Sequence, residues 1–100
     1  MGPVLANMPG TRFVFASFNI GTYATGGIDV VLPSPSDGAT GKLVAIILIN
    51  PYDIANGRYF SWNNSTTDPE IDADVISTGT EVGAVDVSGY VLQAMFVLQD

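Results

Sequence analysis

The chain has 100 residues, 47% of them apolar and 13% charged, and its ten acids against three cations give a formal net charge of −7. That is enough for a single domain with its own core, and it excludes the disordered class, which combines low hydrophobicity with high charge. Cysteine and histidine are both absent, which excludes disulfides, thiolate nucleophiles, cysteine–zinc sites and Ser-His-Asp triads.

The first ten residues, "MGPVLANMPG", have neither the basic start nor the apolar run of a secretory signal. They carry two prolines and no strand pattern, and residues 1–11 read as an extended arm ahead of one β domain over 12–100. If the arm orders against a neighbour, Val4, Leu5 and Met8 are the side chains it would bury. "TRFVFASFNI" begins with alternation, Phe13 and Phe15 on one face and Arg12 and Val14 on the other. Phe18 rejoins the phenylalanine face only if a bulge near Ala16-Ser17 slips the register by one.

"GTYATGG" reads as a turn in which Gly26 and Gly27 take positive φ. "IDVVLP" reads as a short strand ended by Pro33, and "SPSDGATG" as a loop. "KLVAIILIN" is apolar on both faces and is expected to be a central, doubly covered strand. Its longest apolar run, Leu43 to Ile49, is far below the roughly 20 residues of a membrane helix. Asn56-Gly57 marks a turn, and "RYFSW" is expected to return against "KLVAIILIN" as a core hairpin, with Tyr59 and Ser61 facing away from Phe60 and Trp62. After the polar loop "NNSTTDPEI" come a weak strand in "DADVIST" and a valine-bearing stretch in "TEVGAVDVSG". The closing strand "YVLQAMFVLQ" has Tyr90, Leu92, Ala94, Phe96 and Leu98 on one face. Short strands at spacings of about ten residues predict an all-β fold, an antiparallel β-sandwich or small barrel.

Asp68, Glu70, Asp72 and Asp74 are each two residues apart, so an extended chain points all four carboxylates one way and Ile71, Ala73 and Val75 the other. A helix–loop–helix calcium loop starting at Asp68 would need glycine and glutamate where Ala73 and Gly79 stand, so that motif fails. A glycosidase pair needs carboxylates across a cleft, and nothing else points to sugar chemistry. The row reads as a water-facing strand side that resists edge-to-edge pairing, with no metal and no cofactor expected ahead of the alternative, a looser calcium site of clustered oxygens on the loop. The aromatics read mainly as core, with Tyr52 and Trp62 the best placed for exposure beside polar loops. Three scattered cations, Arg12, Lys42 and Arg58, cannot form a basic stripe, so neither nucleic acid nor membrane is expected as a partner. Arg12 and Arg58 are the available bidentate partners for acids on another protein.

At "TYATGG" and again at "GTEVGAVDVSGYVLQAMFVL" the chain resembles the small capsid decoration, or cement, proteins of tailed bacteriophages. The likeness lies in an arm-like start, glycine-marked turns, an acidic cysteine-free β-rich chain and an apolar closing strand. It implies a non-enzymatic virion protein on the outer surface of the capsid, bound to the major capsid protein at subunit junctions and assembled as a homo-oligomer, a trimer by preference. The interface expected with that role comprises Val4, Leu5, Met8, Arg12, Tyr23, Thr25, Gly26, Gly27 and Arg58. The alternative is a carbohydrate-binding β-module of a tail fibre or secreted enzyme, which would present Tyr52 and Trp62.

Overall fold

In a computed structural model of the chain, the described residues are 10–32 and 41–99. They form nine strands: β1 (Thr11–Asn19), β2 (Thr22–Tyr23), β3 (Ile28–Asp29), β4 (Lys42–Leu48), β5 (Tyr52–Asp53), β6 (Arg58–Trp62), β7 (Glu70–Val75), β8 (Val85–Asp86) and β9 (Val91–Gln99). Among the described residues a 3-10 turn, Ile54–Asn56, ends on Gly57 in the left-handed conformation. All pairings are antiparallel, in a three-stranded sheet β1-β9-β4, a four-stranded sheet β3-β7-β6-β5 and a small β2-β8 ribbon. The expected all-β class is what the chain forms. The amino-terminal arm, apart from Gly10 and Thr11, and the "SPSDGATG" loop up to Thr40 lie outside the described residues.

β9 is the middle strand of its sheet, and its alternation is complete. Leu92, Ala94, Phe96 and Leu98 are all buried, and the strand pairs with β1 on one side and β4 on the other. The two sheets share one apolar interior. Phe60, Ile71, Ala73, Leu92 and the fully enclosed Tyr23 form one cluster, while Leu43, Ile46, Ala94, Phe96 and Leu98 form the other. Phe18, Val30, Leu48 and Trp62 pack against both and join them.

One open reading is settled, and three expectations are corrected. β1 runs in unbroken register from Thr11↔Gln99 to Asn19↔Val91, so Phe18 shares the inner face with Val14 and Ala16 while Phe13 and Phe15 face outward. The bulge lies instead in β4, where Leu43 pairs with Leu98 and Ala45 with Val97. The extra residue, Val44, turns both Leu43 and Ile46 inward although they are three apart, a spacing that would put them on opposite faces of a regular strand.

β4 is also not a doubly covered central strand but an edge strand, with Val44 and Ile47 exposed. It pairs with β9, so the hairpin expected with "RYFSW" does not form; β6 lies between β5 and β7 in the other sheet. The apolar pattern of β4 was satisfied by one buried face and one exposed apolar face, which sequence periodicity cannot separate from two buried ones. The acid-bearing β7, finally, lies between β3 and β6. Its carboxylates therefore guard no sheet edge; they line one face of an inner strand.

Candidate functional site

Among the described residues, several acids gather around β7. β7 turns Ile71 and Ala73 into the core and leaves Glu70, Asp72 and Asp74 half-buried on the other face. β3 adds Asp29 directly across from Glu70, and the loop before β7 adds Asp68. Asn63 shapes that loop, its side-chain oxygen accepting from the Ser65 and Glu70 backbone N–H groups and its amide donating to the Asp68 carbonyl. One carboxylate oxygen each from Asp29, Asp68 and Glu70 lies within 4.8 Å of the others. Hard oxygen donors at such spacing suit a divalent cation, although exposed acids gather this way without one.

Crowding alters how these groups titrate. Burial, then the nearby Asp68 and a hydrogen bond with Asp29, pushes the Glu70 carboxyl up from its ordinary value. Asp72 is pushed up by burial first and then by Glu81 and Asp74. Glu81 moves the other way. Its carboxylate accepts from the Tyr23 hydroxyl at 2.6 Å and from the Gly26 backbone N–H at 2.7 Å, and these bonds hold it below the usual range. Tyr23 is pushed up to about 12 by burial and by its bond to Glu81, while its hydroxyl oxygen accepts the Ala73 backbone N–H at 3.2 Å. Tyr59, opposite Asp74 in the ladder, is raised chiefly by that carboxylate.

The three-stranded sheet is the opposite kind of surface. None of the residues of β1, β4 or β9 is an acid, and Arg12 and Lys42 are its charged members. Its outer face presents Phe13, Phe15, Ala45, Ile47, Met95 and Val97, as the pairings Phe13↔Val97, Phe15↔Met95, Ala45↔Val97 and Ile47↔Met95 require. Phe15 is 69% exposed and Ile47 48%. Between Phe15 and Ile49 an open depression of about 250 Å³ is lined also by Ser17 and Gln93. Phe13, Ala45, Met95 and Val97 on the same face are half-buried.

The residues singled out from the sequence do not form one site. Arg12 is half-buried on β1, whereas Thr25, Gly26 and Gly27 form a turn beside the acids, and Arg58 is half-buried on β6. Tyr23 is corrected: at 0% exposure it is a core residue bonded to Glu81 and cannot meet a partner. Gly27 has φ +111, and a Cβ there would stand 2.8 Å from the Asp72 carboxylate, so glycine is required to pack the turn against the acid row. Val4, Leu5 and Met8 lie outside the described residues. Tyr52 is exposed as expected, but Trp62 is half-buried, with its indole N–H donating to the Ser65 carbonyl. The apolar outer face was missed, although the Phe13/Phe15 alternation was its signal.

Comparison with protein-family models, with curated proteins and with solved structures finds no match to the chain.

Proposed function

We propose that the protein is a non-enzymatic capsid decoration protein that attaches to the assembled head of a tailed bacteriophage through the outer face of its β1-β9-β4 sheet. The observation that carries this reading is the division of charge between the two sheets. The acids of β3 and β7 lie on the four-stranded sheet, while the three-stranded sheet is acid-free and exposes Phe15, Val44 and Ile47. An exposed apolar patch bordered by polar surface marks an interaction site. In a chain of net charge −7, keeping acids off the contact side lowers the desolvation cost of docking and leaves the acid row towards water.

Such a protein works by mass action. It binds the assembled lattice and not the dissociated subunits, so its binding free energy adds to shell stability. The capsid-facing side would be apolar in its centre, with Lys42 at its margin placed to meet an acid on the major capsid protein. Carbohydrate binding is the weaker alternative, because Trp62 is half-buried with its indole N–H donating to the Ser65 carbonyl, and Tyr52 lies tilted by 36° against Tyr59 at 6.1 Å.

Co-sedimentation with phage heads lacking a decoration protein tests the reading. Wild-type protein should pellet saturably, and Ile47→Asp should lose at least tenfold in affinity while keeping its fold. The quadruple change of Asp68, Glu70, Asp72 and Asp74 to their amides should bind as wild type. Loss of binding in the quadruple variant with retention in Ile47→Asp would overturn the assignment of faces.

A further inference from the structure

β1 is a kind of edge that folded proteins ordinarily blunt. It is nine residues long, in unbroken register with β9, and contains no proline and no bulge. The other edge of the same sheet, β4, is interrupted by the bulge at Val44 and opens with Lys42. A long flat edge presents a row of backbone N–H and C=O groups that another strand can take up. Among the described residues no strand pairs with the outer side of β1.

The sequence of β1 is suited to pairing with itself. Laid antiparallel against a second β1 about a two-fold axis through residue 15, the strand places Phe15 opposite Phe15, Val14 opposite Ala16, Phe13 opposite Ser17 and Arg12 opposite Phe18. Cross-strand aromatic and β-branched pairs are the contacts that favour such a ladder. The two Arg12 side chains would stand six residues apart, about 20 Å at a strand rise of about 3.3 Å per residue. β1 and its neighbour β9 carry no acid, and Asp29 lines a depression beside Phe18 and Asn19 at the end of the strand, where the partner's Arg12 would stand.

We infer that two copies of this chain pair edge to edge through β1, forming one continuous six-stranded sheet in the order β4-β9-β1-β1-β9-β4. The occupant is a second copy because charge and sequence both select it. Two molecules of net charge −7 repel over most approaches, and the acid-free sheet is where that repulsion is least. The self-pairing also buries Phe15, 69% exposed in the single chain, and makes the apolar face continuous across the junction. The pairing stands apart from shell binding, and either can fail alone. It replaces the trimer implied by the family resemblance with a two-fold dimer.

The chain has no cysteine, so introduced cysteines report the register cleanly. Phe15→Cys should oxidise to a covalent dimer. Phe13→Cys and Ser17→Cys, each alone, should not, since the like residues would lie about 13 Å apart, whereas an equal mixture of the two should cross-link. A disulfide needs Cα atoms within about 7 Å, which only the proposed register provides. Sedimentation equilibrium should give a dimer at tens of micromolar for the wild type and a monomer for Phe15→Lys, which sets like charges face to face, with unchanged circular dichroism. A wild-type monomer at that concentration would overturn the pairing. So would a trimer, a dimer insensitive to Phe15→Lys, or a monomer that dimerises only when residues 1–9 are deleted, since the edge would then belong to the chain's own amino terminus.

Discussion

Tyr23 gives one side chain three jobs: it fills the core, donates to Glu81 and accepts from the backbone of Ala73. Tyr23→Phe keeps the ring but strands the Ala73 N–H in the interior, and leaving a buried donor unmet costs about 1–3 kcal/mol. Urea unfolding should show a loss of that size, and a change below about 0.5 kcal/mol would mean that water replaces the hydroxyl. Gly27 is a second sensitive point. Gly27→Ala adds a clash with Asp72 to a strained positive φ, whereas at Gly26, with φ +101, the space around a Cβ is open. Backbone strain of this kind costs about 1–3 kcal/mol, so both alanine variants should lose stability and Gly27→Ala more. Equal losses would show that the acids simply move aside.

The carboxylates make stability depend on pH in two opposed ways. Glu70 and Asp72 have folded-state values raised above their ordinary ones, by burial first in both cases. The native state therefore holds their protons more tightly, and the stability they contribute is complete below the unfolded value and lost as pH rises through the folded one. Glu81 and Asp86 are lowered, chiefly by hydrogen bonds from Tyr23 and Ser88. Their contribution is present above the unfolded value and lost as pH falls through the folded one. Stability should thus rise as pH is lowered from 7 towards the carboxylate range and fall on further acidification. The double variant Glu70→Gln, Asp72→Asn should be more stable than wild type at pH 7, with the gap closing towards about pH 4. A gap independent of pH would contradict this origin.

At the scale of elements, the parts legible in the sequence were those with complete alternation. β9 announced its buried face through Leu92, Ala94, Phe96 and Leu98, and β7 announced its acid face through Glu70, Asp72 and Asp74, because a period of two is a local property. What covers a strand's second face, and which strand lies beside it, depends on residues far away in the chain. That is why β4 was expected in the middle of a sheet and stands at its edge, and why β7 was expected at an edge and stands inside. Tyr23 was misjudged for a related reason: its turn-like neighbours pointed outward, and its partner Glu81 is 58 residues away. The bulge had a signal too, in Leu43 and Ile46, two apolar side chains three apart that a single bulge turns to the same face. Val44→Pro would place a residue without an N–H at that irregularity. If the bulged N–H makes no ladder bond, the variant should fold with less than about 1 kcal/mol of loss, while Ile46→Pro, inside the paired segment, should unfold the domain at room temperature.

At the scale of the whole molecule, two sheets share one core but meet solvent with opposite chemistry. The four-stranded sheet carries the crowded acids of β3 and β7, and the three-stranded sheet carries exposed Phe15 and Ile47 with no acid on any of its strands. That asymmetry is the basis of the proposed docking on a phage shell, and it predicts that binding will depend on apolar contact more than on charge. Raising salt from 0.05 to 0.5 M should therefore weaken attachment less than threefold, since screening removes only the small share carried by Lys42. The central claim is tested most directly by the temperature at which packaged DNA escapes from heads that lack a decoration protein, measured with and without the added chain. The account predicts a saturable rise in that temperature, abolished by Ile47→Asp and preserved when the acid row is neutralised. An unchanged release temperature at concentrations that saturate the heads would contradict it.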